Sequence, residues 1–133
     1  MILAADIGAT KSLLALYKKN KVIAKETYES RRFQRIELML ADFLSKHGGK
    51  ITCACLGVAG PVTDNVCKAT NLPWIVDGPD LSKKFRVRKL VVINDVEAMG
   101  YGLRLVKDKD IVRYMKKRRK LSEKCLIGWI VKT

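Results

Sequence analysis

The sequence has 133 residues, 48% hydrophobic and 30% charged, with a formal net charge of +14. That length and balance describe one compact domain with a sizeable core, and exclude a disordered or fibrous chain. No apolar run approaches the roughly 18 residues of a membrane span.

Cysteine usage points the same way. Cys53, Cys55, Cys67 and Cys125, with the single His47, match no zinc-ligand spacing, so reduced, mostly buried thiols in a cytoplasmic protein are expected.

Ile2 to Ala5 reads as the first strand, its apolar run too short for the core of a signal peptide. It ends at Asp6-Ile7-Gly8-Ala9-Thr10-Lys11, and Ser12 to Tyr17 resumes as an apolar strand, so the glycine-containing stretch between them reads as a tight turn. Lys18-Lys19-Asn20-Lys21 is a polar turn, with Asn20 suited to the left-handed conformation. Val22 to Tyr28 is a third, more polar strand near an edge, which completes an antiparallel meander. Ser30 is placed to cap a helix from about Arg31 to His47, in which Phe33, Ile36, Leu40, Phe43 and Leu44 form one apolar face. Gly48-Gly49 ends that helix.

Ile51 to Val58 is the next strand, running into the loop Ala59-Gly60-Pro61-Val62. Thr63 to Val66 reads as a turn between two short strands, the second being Val66 to Ala69. Thr70-Asn71-Leu72-Pro73-Trp74 is a rigid segment that cannot be helical before Pro73. Asp77-Gly78-Pro79-Asp80 opens a short helix through Phe85, with proline in its first turn. Leu90-Val91-Val92-Ile93 is four apolar residues in a row, a strand buried on both faces. Asn94-Asp95 follows at its carboxyl end, and a helix runs from Val96 to about Leu105. Gly100 and Gly102 weaken that helix by roughly 1 kcal/mol each, which makes sense where something packs closely against it. Asp108 to Lys120 is a basic helix and Cys125 to Val131 a last strand. A meander leading into alternating helix and strand predicts a mixed α/β sheet. The dinucleotide fingerprint, with its three glycines before a helix, is missing.

Three loops at strand ends carry chemical potential. In the first, Gly8 lets backbone N–H groups face an anion, Thr10 adds a hydroxyl and Lys11 a positive charge. Asp6 beside them suits a hydrated magnesium ion, although an ordinary hairpin turn has the same residues. The second, Gly60-Pro61, is a turn or a wall of a pocket. The third sets an amide beside a carboxylate. Asn94-Asp95 suits gripping and deprotonating a hydroxyl, while Asp95 also suits capping the following helix.

Together, Asp6 to Lys11, Gly57-Val58-Ala59-Gly60-Pro61-Val62, Ala69 to Trp74 and Ile93-Asn94-Asp95 resemble the bacterial glucokinases and related ROK sugar kinases. The resemblance covers about residues 2 to 105 and implies an actin-like, ribonuclease H-like ATPase fold, a five-stranded mixed sheet flanked by helices. It also implies ATP-dependent phosphoryl transfer, with Mg2+, to the 6-hydroxyl of glucose or a similar hexose. On that basis Asp95 matches the catalytic base and Asn94 a residue that bonds sugar hydroxyls. Thr70 and Asn71 match the lining of the sugar pocket, and Gly60 and Pro61 the loop beside it. Asp6, Gly8, Thr10 and Lys11 match the first phosphate loop, with Asp6 near the magnesium through water.

Ala9 departs from the glycine usual in that loop; its methyl would crowd the backbone approach, although a residue this small is also compatible with it. Kinases of this kind are two-domain proteins of roughly twice this length. Residues 1–107 are therefore expected to be an amino-terminal sugar kinase domain. The resemblance likewise implies that residues 108–133, read as the basic helix and terminal strand, begin a second domain that would complete the adenine pocket. Truncation or frameshift, with little turnover by the chain alone, is the corresponding expectation.

The alternative reading is a non-catalytic module binding an anionic partner. Arg104 to Thr133 supplies +8 of the net charge, above all in Lys116-Lys117-Arg118-Arg119-Lys120, although an ordinary solvated helix end has the same composition and is the plainer reading. No aromatic residues interleave that run and no helix-turn-helix precedes the first strand, so nucleic acid is not the expected partner. A membrane is not expected either, and a homodimer is compatible with either reading.

Overall fold

The computed structural model describes residues 1–105. The predicted basic helix, the last strand and the Lys116–Lys120 run lie outside them. Met1–Asp95 forms one compact unit, and the rest of α3 (Asp95–Gly102) with the 3-10 turn Leu103–Leu105 belongs to the next.

The first unit begins with the expected meander. β1 (Ile2–Ile7), β2 (Lys11–Lys18) and β3 (Lys21–Glu29) pair antiparallel in chain order. Lys19 and Asn20 both take positive φ, 49° and 60°, so the two-residue β2–β3 loop has the twist that suits a hairpin. β4 (Cys53–Val58) then pairs parallel to β1, and β8 (Lys89–Asn94) parallel to β4. The five-stranded mixed sheet has the order β3-β2-β1-β4-β8. A smaller antiparallel sheet is made by β5 (Val62–Thr63), β6 (Val66–Lys68) and β7 (Ile75–Asp77). β7 is three residues long and has no periodicity of its own; pairing with β6 creates it.

Alternation fixes which side of each strand is inside. Leu3, Ala5 and Ile7 of β1 and Leu14 and Leu16 of β2 are buried, as are Leu56 and Val58 of β4. α1 (Ile36–His47) adds Ile36, Met39, Leu40 and Phe43 to the same core, with Phe33 and Leu44 partly buried against it. On β8, Leu90 and Val92 are buried but Val91 and Ile93 only half so. The reason is position: among the described strands β8 is the last in the sheet, not a central one.

The expected start of the first long helix is corrected. Ser30 does not cap α1. Ser30–Arg32 is a separate 3-10 turn, the chain is extended at Phe33, and α1 starts at Ile36 with no side-chain cap bond from Arg35. The Ser30 hydroxyl is engaged elsewhere, with the Gly8 carbonyl. Among the described residues nothing lies within 4 Å of a Cβ placed at Gly100 or Gly102.

The short helix α2 (Gly78–Lys84) is as expected, with Pro79 in its first turn. Its cap is Asp77, whose Oδ1 accepts the Asp80 N–H at 2.9 Å.

Candidate functional site

The sheet register brings the three loops to one end. Asp6 of β1 lies level with Gly57 of β4 and Ile93 of β8, and Ile7 with Val58 and Asn94. These three strands are parallel, so their carboxyl ends and the loops that follow lie side by side, the usual place for ligands in such sheets.

The second loop is the hub. The Ala59 N–H donates to the Ile7 carbonyl at 3.4 Å, and the Thr70 N–H donates to the Ala59 carbonyl at 2.9 Å. Asn94 Nδ2 donates to the Gly60 carbonyl at 2.8 Å. Ala59-Gly60 thus ties together the ends of β1 and β8 and the Thr70-Asn71 segment. Only glycine fits at position 60, for lack of space. A Cβ there would lie 2.6 Å from the Lys68 carbonyl oxygen, 2.9 Å from Cys67 Sγ and 3.4 Å from Thr70 Oγ1. Pro61, Thr70 and Asn71 are exposed beside it.

The first loop, between β1 and β2, contains Gly8, Ala9 and Thr10, with Thr10 and Lys11 exposed. A Cβ at Gly8 would lie 2.6 Å from the Lys11 carbonyl oxygen, so the turn closes only around glycine. Ala9 is not among the residues with positive φ, and its methyl therefore causes no backbone strain.

Charge links the first loop to the third. Asp6 is exposed at the surface, yet partial desolvation by the protein around it raises its carboxyl above the ordinary 3.8, and the negative charge of Asp95 raises it further. Burial, then the same Asp95 charge, raises the Cys67 thiol. Two carboxylates sharing a field in this way favour a cation or a shared proton. α3 opens on Asp95 itself, one residue earlier than expected. Among the described residues no group of three or more His, Cys, Asp or Glu is arranged to hold a metal by itself.

Sequence reasoning missed three contributors. Ser12 and Ser30 are fully buried under the first loop. Ser12 falls on the same side of β2 as Leu14 and Leu16, and a hydroxyl on a core-facing position signals a partner. Asn65 takes positive φ, 64°, in the β5–β6 turn, and its side chain reaches β8. Its Nδ2 donates to the Leu90 carbonyl at 2.9 Å, and its Oδ1 accepts the Val92 N–H at 2.6 Å. One side-chain amide therefore completes two backbone groups of β8, as a neighbouring strand would.

Known proteins resemble this chain over most of its length. A sequence model of the glucokinase family matches residues 3–128. The glucokinase of Synechocystis sp. is 35% identical over 116 residues, which cover 76% of this chain and 33% of that protein. A crystal structure of glucokinase from an Antarctic psychrotroph superposes with a TM-score of 0.70 at 30% identity, covering 82% of this chain and 36% of that one. A sugar kinase structure from Cytophaga hutchinsonii, described as putative in its own name, reaches a TM-score of 0.62 at 18% identity, over 77% of this chain and 38% of that one, a likeness of fold. The chain spans about a third of the length of these glucokinase relatives, which are therefore longer than the expected twofold. Its mixed sheet and flanking helices are those of the actin-like ATPase fold of the ROK sugar kinases. With the family model matching nearly the whole sequence, the chain belongs to the glucokinase family.

Proposed function

We propose that residues 1–107 are the amino-terminal domain of an ATP-dependent hexose kinase acting on the 6-hydroxyl of glucose, and that residues 108–133 begin a second domain. The observation that carries this reading is the convergence of Asp6, Asn94, Asp95 and Gly60 on one end of the sheet, held by the Asn94–Gly60 bond.

Asn94, Thr70, Asn71, Gly60 and Pro61 form the sugar side of the site. There Asn94 and Asn71 offer amides that both donate and accept, matching the mixed character of sugar hydroxyls. Asp95 is the general base, its carboxylate oxygen accepting the proton of the 6-hydroxyl as that oxygen becomes nucleophilic. Asn94, fixed by Gly60, holds the sugar so that this hydroxyl stays at the carboxylate, and that positioning carries most of the rate in phosphoryl transfer.

The residues of the first loop fit a magnesium nucleotide. Gly8 keeps the turn narrow enough for backbone N–H groups to approach an anion, and Lys11 adds a positive charge. The raised Asp6 carboxyl is relieved by a nearby cation, and Asp6 would hold Mg2+ through water. ATP supplies the phosphoryl group when bound, and Thr10 and Lys11 would orient its phosphates. A cytoplasmic setting accords with this substrate pair.

Calorimetry with glucose on the 133-residue chain tests the sugar surface. Heat of binding is expected for the wild type and its loss for Asn94→Ala and Asn71→Ala. Absence of binding by a folded wild-type chain would remove the sugar half of the proposal.

A further inference from the structure

Beneath the first loop lie two hydroxyls with no exposed surface, Ser12 near the start of β2 and Ser30 just after β3. Their oxygens are 2.8 Å apart, and Ser30 Oγ donates to the Gly8 carbonyl at 2.6 Å. A serine hydroxyl has one proton. Because that of Ser30 goes to Gly8, the shared bond is donated by Ser12. The result is a directed chain, from Ser12 to Ser30 to the Gly8 carbonyl, in which each bond polarises the next. Ser30 also donates its backbone N–H to the Thr10 carbonyl at 2.9 Å.

One residue thus holds the carbonyls on both sides of Ala9. No peptide bond in the described residues is cis, and in a trans peptide the N–H points opposite to the carbonyl of the same plane. With the Gly8 and Thr10 carbonyls drawn toward Ser30, the N–H groups of Ala9 and Lys11 point away from it. An anion-binding turn needs this orientation, since a carbonyl turned outward would repel a phosphate oxygen.

We infer that Ser30, with Ser12 behind it, is a positioning residue that locks the Gly8–Lys11 turn with its N–H groups presented to a phosphate. The inference rests on reading this turn as the phosphate loop. It assigns a nucleotide-directed role to a residue outside every recognised motif and distant in sequence from the loop it sets.

The experiment follows the backbone amide of Ala9 by NMR while inorganic pyrophosphate is added to the 133-residue chain. Wild type, Ser30→Ala and Ser12→Ala are compared, with urea unfolding of each. The Ala9 amide is expected to shift saturably in the wild type. Ser30→Ala should weaken that response roughly tenfold or more, the loss expected when a bond to a charged group is misaligned. Ser12→Ala should weaken it less, because Ser30 still bonds Gly8, although each variant removes one buried hydroxyl and should lower stability similarly. A purely structural role predicts equal losses of binding in both variants, and that result overturns the inference. An unchanged response in folded Ser30→Ala overturns it while leaving the phosphate-loop reading in place. No Ala9 response in the wild type overturns both. Where Ser30→Ala does not fold, Ser30→Cys, which keeps the volume but donates weakly, takes its place, and wild-type affinity in that variant counts against the inference.

Discussion

The Asn94 side-chain amide donates to the Gly60 carbonyl across 2.8 Å, joining the last residue of β8 to the loop after β4. This bond ties the residue just before the proposed base to the loop offered as the pocket wall. In Asn94→Asp a carboxylate oxygen would face that carbonyl, and the variant should lose about 1–3 kcal/mol of stability, the cost of leaving a partly buried group unsatisfied. Urea unfolding at neutral pH measures it; a loss below a few tenths of a kcal/mol would show that the bond contributes little.

Gly60 itself should tolerate no side chain. The atoms a Cβ would meet include the Lys68 carbonyl oxygen at 2.6 Å, part of a backbone that cannot rotate aside. Gly60→Ala is expected to cost about 1–3 kcal/mol, typical of forced repacking. It should also disturb the Thr70 N–H bond to Ala59, seen as faster amide exchange at Thr70. A melting temperature equal to that of the wild type would refute this.

Asp6 should make stability depend on pH in a definite direction. Its folded-state pKa lies above 3.8, first through partial desolvation and then through the charge of Asp95. Between the unfolded and folded values the native state holds the extra proton, so stability falls as pH rises through that window. The penalty is absent below 3.8 and complete above the folded-state value. Asp6→Asn should therefore gain stability relative to wild type as pH rises from 3.8, with the gain levelling off once Asp6 is ionised. Asp95→Asn should lower the Asp6 pKa only part of the way, because desolvation is the larger cause. Carbon-13 NMR titration of the Asp6 carboxyl reads both effects; a rise on Asp95→Asn would contradict the assignment.

Asn65 substitutes for a strand along β8. Asn65→Ala leaves the Leu90 carbonyl and the Val92 N–H without that partner. A loss of roughly 2 kcal/mol or more is expected, together with faster amide exchange at Val92 than at Leu56 on β4. Equal protection at Val92 in the variant and the wild type would show that the amide is dispensable.

The order of elements and the loops at strand ends were readable from local pattern. Runs such as Leu90–Ile93, the turn at Lys19-Asn20 and the glycines after α1 act within a few residues. Ser30 was misread because a serine before an apolar helical pattern ordinarily bonds the helix. Here its hydroxyl goes to Gly8, 22 positions earlier in the chain, and no local pattern reports such a bond. β7 was invisible for a similar reason, since three residues become a strand only when β6 lies beside them. The site motifs were legible as candidates through their loops, but the level of Asp6 with Ile93 follows from parallel pairing, which sequence spacing alone leaves open.

The position of β1 between β2 and β4 also sets an order of assembly. β1 meets β2 across a short turn, whereas it meets β4 only after about fifty residues more, and β8 joins after a further thirty-six. Closing long loops is the slow part of folding. A nascent chain that has emerged as far as Lys84 can already form the meander and its first turn, yet it contains neither Asn94 nor Asp95. The turn that would cradle phosphate can thus form early, whereas Asn94 and Asp95, which would meet the sugar hydroxyls, join it only with β8.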